Sequence, residues 1–330
     1  MTRPVRALIH LILIASLAAC AHRQAPPKTM PKTTLSPQLD TTTFTSFDYD
    51  KFGYKHWKSA SEPKIVIIGV HGINGAASDY DNFGDYIQQH NSDIALYAFE
   101  TRGQGNDLKK HRRGDIYKAE EWYQDLRTFT ALVRKEHPIA KIIWCGESMG
   151  SLIVTHAFHH SKTHQNSKNP ICDGIILLAP VVDLTHQLAR WKFTAAKMIA
   201  AIFPRYKVAL NLFSGDDTVK VTQGANDHDT QAATNSYYID KFTLRLLATL
   251  GKNIDGMNLK AESIDLPILV VNGGKDYFTP KQYTEQFFSK IPSSTDKTHR
   301  YYPDAYHLLM YDEQRNAIFA EMLEWLDKWK

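Results

Sequence analysis

The sequence predicts an α/β fold in which helices cover both faces of a mainly parallel sheet, and three observations predict it. Short, continuous apolar runs recur along the chain, as in strands buried on both faces. Longer stretches of helical periodicity fill the gaps between those runs. At one junction of run and periodic stretch stands Gly146-Glu147-Ser148-Met149-Gly150, whose glycines suit a tight strand-to-helix turn.

Taken in chain order, residues 43–48 and 52–58 read as a pair of edge strands. Residues 64–70, Lys-Ile-Val-Ile-Ile-Gly-Val, form the first strand of the buried type. Further strands are predicted at 95–100, 141–145, 174–179 and 267–271, with a weaker one at 298–302. Helices are predicted over 80–90, 119–136, 148–160, 280–290 and 311–329. In such a sheet the ligand site lies beyond the carboxyl ends of the strands, here where the loops after Val70, Cys145 and Val271 converge. One interval breaks the alternation. Between Val182 and about Asp265 no strong strand is visible, while residues 188–202 are amphipathic and 237–250 are helical. This insertion, about 183–265, is predicted to be a helical lid over the site, with helical padding on the sheet as the alternative.

With 330 residues, 43% of them hydrophobic and 22% charged, the chain can bury a large core. Its net charge of +4 gives no support to nucleic-acid binding. Arg3 and Arg6 precede an apolar stretch, residues 7–19, that is too short to cross a bilayer and reads as a signal peptide. The stretch ends in Leu17-Ala18-Ala19-Cys20, which resembles the lipobox of bacterial lipoproteins and implies lipidation of Cys20. Several acyl chains, each methylene contributing about 0.8 kcal/mol, would anchor the protein stably. Ala21 stands where an acidic residue favours inner-membrane retention, so the resemblance implies an outer-membrane lipoprotein facing the periplasm. The expected organisation is a signal peptide over 1–19, a lipidated tether over 20–41 rich in Pro, Thr and Lys, and one domain over 42–330. Cys145 closes one strand and Cys172 precedes the next, about a strand length away, so the pair is predicted to be two buried free thiols.

The chemistry centres on Ser148. Its turn forces a strained, exposed pose, and the following helix N-terminus favours developing negative charge. A serine hydroxyl needs a base, and His307 lies in the loop between the last strand and the last helix. His299 is a rival, but it falls inside that strand. The strand before ends in Asn272-Gly-Gly-Lys-Asp276, which puts Asp276 at the carboxyl edge to orient the imidazole; Asp304 more naturally shapes its turn. The oxyanion donors are expected to be the backbone N–H groups of Met149 and Ile73, the latter in the loop His71-Gly72-Ile73-Asn74-Gly75. His71 reads as a brace for that loop. His156, His159, His160 and His164 have no ligand partner at metal spacing and read as a solvated helix end, and residues 109–113, Lys-Lys-His-Arg-Arg, as a solvated basic face.

These residues resemble the monoacylglycerol lipase and lysophospholipase branch of the α/β-hydrolases, which takes in serine aminopeptidase-like sequences. The resemblance runs from about Asp48 to the C-terminus. It rests on the spacing from His71-Gly72 to Tyr80, the turn Arg102-Gly103-Gln104-Gly105, the elbow at 146–150, the length of the lid, Gly274-Lys-Asp276 and Ala305-Tyr-His307. It implies the α/β-hydrolase fold with a helical lid, a triad of Ser148, Asp276 and His307, oxyanion donors Ile73 and Met149, and a lipid ester substrate. The chain departs from the branch at Glu147, where a His is usual, at Gly75-Ala76 and at Asn106-Asp107, departures that bear on acyl-chain preference. No metal or organic cofactor is expected, because the residues themselves supply nucleophile and charge stabilisation. A peptidase or thioesterase of the same fold, and a non-catalytic lipid-binding lipoprotein, are the alternatives.

Overall fold

The structure is a computed structural model, and it describes residues 36–164, 171–184, 197–209, 220–222 and 237–329. The signal peptide, Cys20 and most of the tether lie outside the described residues. At the edge of the sheet β1 (Gln38–Leu39), β2 (Thr43–Thr45) and β3 (Lys51–Trp57) form an antiparallel meander. The meander reaches back before residue 42, since Leu39 pairs with Phe44.

Six parallel strands follow: β4 (Ile65–Val70), β5 (Ile94–Phe99), β6 (Lys141–Glu147), β7 (Gly174–Leu178), and, beyond the lid, β10 (Ile268–Gly273) and β11 (Lys297–Tyr302). The nine strands take the order β1-β2-β3-β5-β4-β6-β7-β10-β11, with β3 antiparallel to β5 and every later pair parallel. The order reverses between β4 and β6, and this is where a doubly covered sheet opens a crevice at its carboxyl end.

Side chains alternate across a strand, and β4 shows what that alternation buries. Val66, Ile68 and Val70 join one core with Leu126, Phe129, Ile153 and Phe158, while Ile65 and Ile67 join the other with Phe83, Ile87 and Phe319. The first core is closed by α2 (Ala119–Glu136), α3 (Met149–His164), α4 (Leu244–Ala261) and α5 (Lys281–Lys290); the second by α1 (Asp81–His90) and α6 (Arg315–Leu326). Each fully buried Phe or Ile contributes roughly 1.5–3 kcal/mol. No helix among the described residues is long and apolar enough to cross a membrane.

The lid interval departs from its sequence reading at its C-terminal end. Residues 237–241 form a loop, β8 (Lys207–Val208) pairs antiparallel with β9 (Phe242–Thr243), and the helix begins only at Leu244. The cause is local: the Thr243 hydroxyl accepts the N–H of Leu246 at 3.2 Å and caps α4 there. Most of residues 188–202 lies outside the described residues. Cys145 and Cys172 are free and buried, as expected. Cys145 pairs with Ile176, so Cys172 lies four positions, about 13 Å, away along the next strand.

Two polar clusters also differ from expectation. His156 is buried rather than solvated: its Nε2 donates to the Asn253 carbonyl at 2.8 Å and its ring stacks on Tyr123, and burial holds its pKa down to about 4. In the basic run Lys109, Lys110 and His111 are exposed, as the solvated reading expects, while Arg112 turns inward onto Asp50 and onto Asp107 at 2.8 Å, because the buried carboxylates of this corner need partners. At its centre Arg102 donates to Asp125 at 2.7 and 2.8 Å and to Asp48 at 2.8 and 3.0 Å. Arg102→Met would leave Asp125 buried without its cation. The expected loss is about 3–5 kcal/mol of unfolding free energy, read as a lower urea midpoint.

Candidate active site

Strand β6 ends in a turn that only its own residues allow. A Cβ on Gly146 would stand 2.5 Å from the Gly150 backbone, and one on Gly150 would stand 1.8 Å from the Val70 carbonyl oxygen. With both sites confined to hydrogen, helix α3 starts directly against β4. Ser148 between them is held at a φ of +52°. Its amide donates to the Leu178 carbonyl at 2.9 Å, which fixes the turn to β7. The strain predicted from sequence is present, but the serine is buried, not exposed.

The structure brings together the three residues that the sequence singled out. The Ser148 Oγ lies 2.8 Å from His307 Nε2, and His307 Nδ1 lies 2.8 Å from Asp276 Oδ2. Asp276 follows β10, where its other oxygen accepts the backbone N–H groups of Phe278 at 2.8 Å and Thr279 at 3.1 Å. Three contacts of one carboxylate are thus shared between its own turn and the imidazole. Because a carboxylate only accepts, Nδ1 carries the proton and Nε2 is left to take one from the serine. Burial alone would lower the His307 pKa, but the charge and hydrogen bond of Asp276, with a further contribution from Glu147, raise it. His299 stays within β11, beside Asn272 at 3.3 Å, and Asp304 is exposed and paired with Lys275 at 3.0 Å.

The loop after β4 lies against the serine, since a Cβ on Gly72 would be 3.4 Å from that of Ser148. His71 braces it. Thr101 N–H donates to His71 Nε2 at 3.0 Å, so Nδ1 carries the proton and donates to the Gly72 carbonyl at 2.9 Å; burial holds the pKa down to about 4. Ile73 comes next, half-buried against the core. Asn74, at a φ of +60°, then ties the loop to the lid: its Oδ1 accepts the Ile239 N–H at 2.9 Å and its Nδ2 donates to the Ile239 carbonyl at 3.4 Å. Met149 is the first residue of α3, so its N–H has no partner within the helix. Backbone donors from both sides of the serine can therefore meet a developing oxyanion.

Three residues that tie this neighbourhood together, Asn74, Asp79 and Glu147, carry no role that the sequence pattern assigns. Asp79 accepts from Ala76 N–H at 3.1 Å and Tyr311 Oη at 2.8 Å, and Glu147 accepts from the backbone of the histidine loop. The available signal was a carboxylate inside an otherwise apolar segment, Trp144-Cys145-Gly146-Glu147. Among the described residues no group of three or more His, Cys, Asp or Glu is arranged to hold a metal ion.

A hydroxyl, an imidazole and a carboxylate in hydrogen-bonded series, beside a pair of backbone donors, are the parts of an acyl-transfer site. The profile of the hydrolase family described as serine aminopeptidase, S33 matches residues 61–314. The chain belongs to that family. Among S33-like relatives, a monoacylglycerol lipase of Mycolicibacterium smegmatis is 22% identical over 273 residues, covering 83% of this chain and 91% of that one. An abhydrolase domain-containing protein of Dictyostelium discoideum is 20% identical over 285 residues, and there the chain spans only 28% of the relative's length. The solved structure of a soluble variant of Saccharomyces cerevisiae monoglyceride lipase, in complex with a substrate analogue, aligns with a TM-score of 0.74 at 21% identity. That alignment covers 93% of this chain and 99% of the other, and it shows the α/β-hydrolase fold.

Two outcomes follow for this S33 hydrolase. A general base must be neutral, so kcat/KM should fall as pH drops through a pKa above the free imidazole value of 6.5. Asp276→Asn should keep the fold yet lower kcat on the order of 10⁴-fold by giving the imidazole the wrong tautomer, as measured by ester turnover.

Proposed function

We propose that the protein hydrolyses carboxylic esters of lipids, of the monoacylglycerol or lysophospholipid type, through an acyl-enzyme on Ser148. The observation that carries this reading is the unbroken chain of two 2.8 Å contacts from Ser148 through His307 to Asp276. Ser148 Oγ attacks the ester carbonyl as its proton passes to His307 Nε2, and the tetrahedral oxyanion takes the N–H groups of Ile73 and Met149. The intermediate collapses, and the leaving alcohol takes the proton from His307. Water then attacks the acyl-enzyme with His307 as base, which releases the fatty acid and restores Ser148.

The lipid part of the reading draws on the relatives' names and on the lid. Met198, Ile199, Ile202 and Phe203 are exposed together on the described part of the lid. An apolar surface of this kind suits a substrate drawn from an aggregate or bilayer. The family's own description favours an aminopeptidase as the second reading. A panel of esters of varied acyl length, with monoacylglycerol, lysophospholipid, a thioester and aminoacyl amides, separates them. Turnover should be fastest on the lipid esters; cleavage of amides alone would overturn the ester reading.

The same proposal includes an anchor: a lipidated Cys20, a tether, and an outer-membrane position facing the periplasm. Its support is the run of small residues before Cys20 and the composition after it. Metabolic labelling with an alkynyl palmitate should mark the parent protein in the membrane fraction. Cys20→Ser should abolish that label, and equal labelling of both proteins would contradict the anchor.

A further inference from the structure

The general base sits on a loop that makes few backbone bonds of its own. Residues 305–311 belong to neither β11 nor α6, yet Ala305, His307, Leu309 and Met310 are all buried. Buried amides without partners cost about 1–3 kcal/mol each, so the partners of this loop decide where His307 can stand. Ala305 N–H donates back to Tyr302, Tyr306 N–H to the Asp312 carboxylate at 2.9 Å, Tyr311 N–H to Leu308, and Leu308 N–H to the lid carbonyl of Val221 at 2.8 Å. The Met310 amide turns instead to a side chain, that of Glu147.

Glu147 is the residue before the nucleophile and almost wholly buried. Its Oε1 accepts the Met310 N–H at 3.2 Å. One carboxylate thus connects the backbone that carries Ser148 to the backbone that carries His307. A parallel tie runs nearby, where Asp79 joins Ala76 of the loop after β4 to Tyr311 of the histidine loop. We propose that Glu147 is a positioning residue for the general base, its acceptor oxygens on the elbow fixing the His307 loop over Ser148. This inference rests on the ester-hydrolysis reading above.

The titratable groups that act on Glu147, or feel its charge, are Asp79 from the turn after the oxyanion loop, His307 and Tyr311 from its partner loop, Tyr80, and Cys145 of β6. Burial, reinforced by Asp79, pushes the carboxyl up to about 7, so near neutral pH it interconverts between two forms that both retain an acceptor oxygen. Geometry is kept in either form. The anion adds support for the imidazolium, since Glu147 helps to raise the His307 pKa.

Turnover of a soluble short-chain ester by the full-length protein and two variants tests this. Glu147→Leu keeps the bulk but removes both acceptor oxygens; kcat should fall about 10- to 100-fold with KM within about threefold of the parent. Glu147→Gln keeps an acceptor and should restore kcat to within about threefold, with the acid limb of kcat/KM moved to lower pH because the imidazole loses a nearby anion. Parent-like kcat in Glu147→Leu, or Glu147→Gln as slow as Glu147→Leu, overturns the proposal. Should Glu147→Leu fail to fold, Glu147→Met, which also lacks an acceptor oxygen, takes its place: a kcat lowered in Glu147→Met and restored in Glu147→Gln supports the positioning role, and a parent-like kcat in Glu147→Met overturns it. A parent protein inert on every ester overturns the ester reading itself, and this inference with it, whereas an active parent with unaffected variants overturns only this inference.

Discussion

The contact of helix α3 with strands β6 and β4, closed to the point where only hydrogen fits at Gly146 and Gly150, is the constraint on which the site depends. A side chain at either position would drive the helix off the sheet. Because the approach is this close, Ser148 is forced to a φ of +52°, a conformation that costs a non-glycine residue of order 1–3 kcal/mol. That strain is met by the bonds around it: Ser148 N–H on Leu178 at 2.9 Å and Ser151 Oγ on the Gly146 carbonyl at 2.7 Å. The serine consequently stands at the start of a buried helix, where the free N–H of Met149 can meet the oxygen of a carbonyl that the Ser148 hydroxyl attacks.

Three other segments are referred to this fixed point. The Asp276 turn holds the imidazole through Nδ1, Glu147 holds the Met310 amide behind it, and the loop after β4 is set by His71 and Asn74. The lid touches two of these segments directly, Asn74 through Ile239 and Leu308 through Val221. The 183–265 insertion is thus tied to both loops by hydrogen bonds, through the Asn74 side chain to Ile239 and backbone to backbone from Leu308 to Val221. The carboxylates that make these ties, Asp79 and Glu147, are expensive to ionise where they sit, with pKa values pushed by burial up to about 6 and about 7.

Sequence pattern revealed the parts of this arrangement that follow from period and order. Continuous apolar runs located β4, β5, β6, β7 and β10 to within two residues, because strands buried on both faces read as apolar throughout, whereas the half-exposed β11 gave a weaker signal and β8 and β9 gave none. Chain order singled out Asp276 and His307, which the fold then brings within 2.8 Å of each other. What pattern could not reach were contacts made by tertiary approach. Tyr237 to Lys241 look helical in sequence yet form a loop, because Thr243 caps the helix and Ile239 bonds to Asn74. His156 looks like one of several surface histidines, and only the packing of α4 against α3 buries it. Glu147 stood out as a departure from the family pattern, but its partners lie 163 positions away in the chain.

The central claim is that one hydroxyl, Ser148, becomes covalently attached to the acyl group. Reaction with a fluorophosphonate, followed by intact mass and peptide mapping, reads that directly. A single adduct on Ser148 is expected, absent from Ser148→Ala and formed far more slowly in His307→Ala. An adduct on another residue, or equal labelling of Ser148→Ala and the parent, would contradict it.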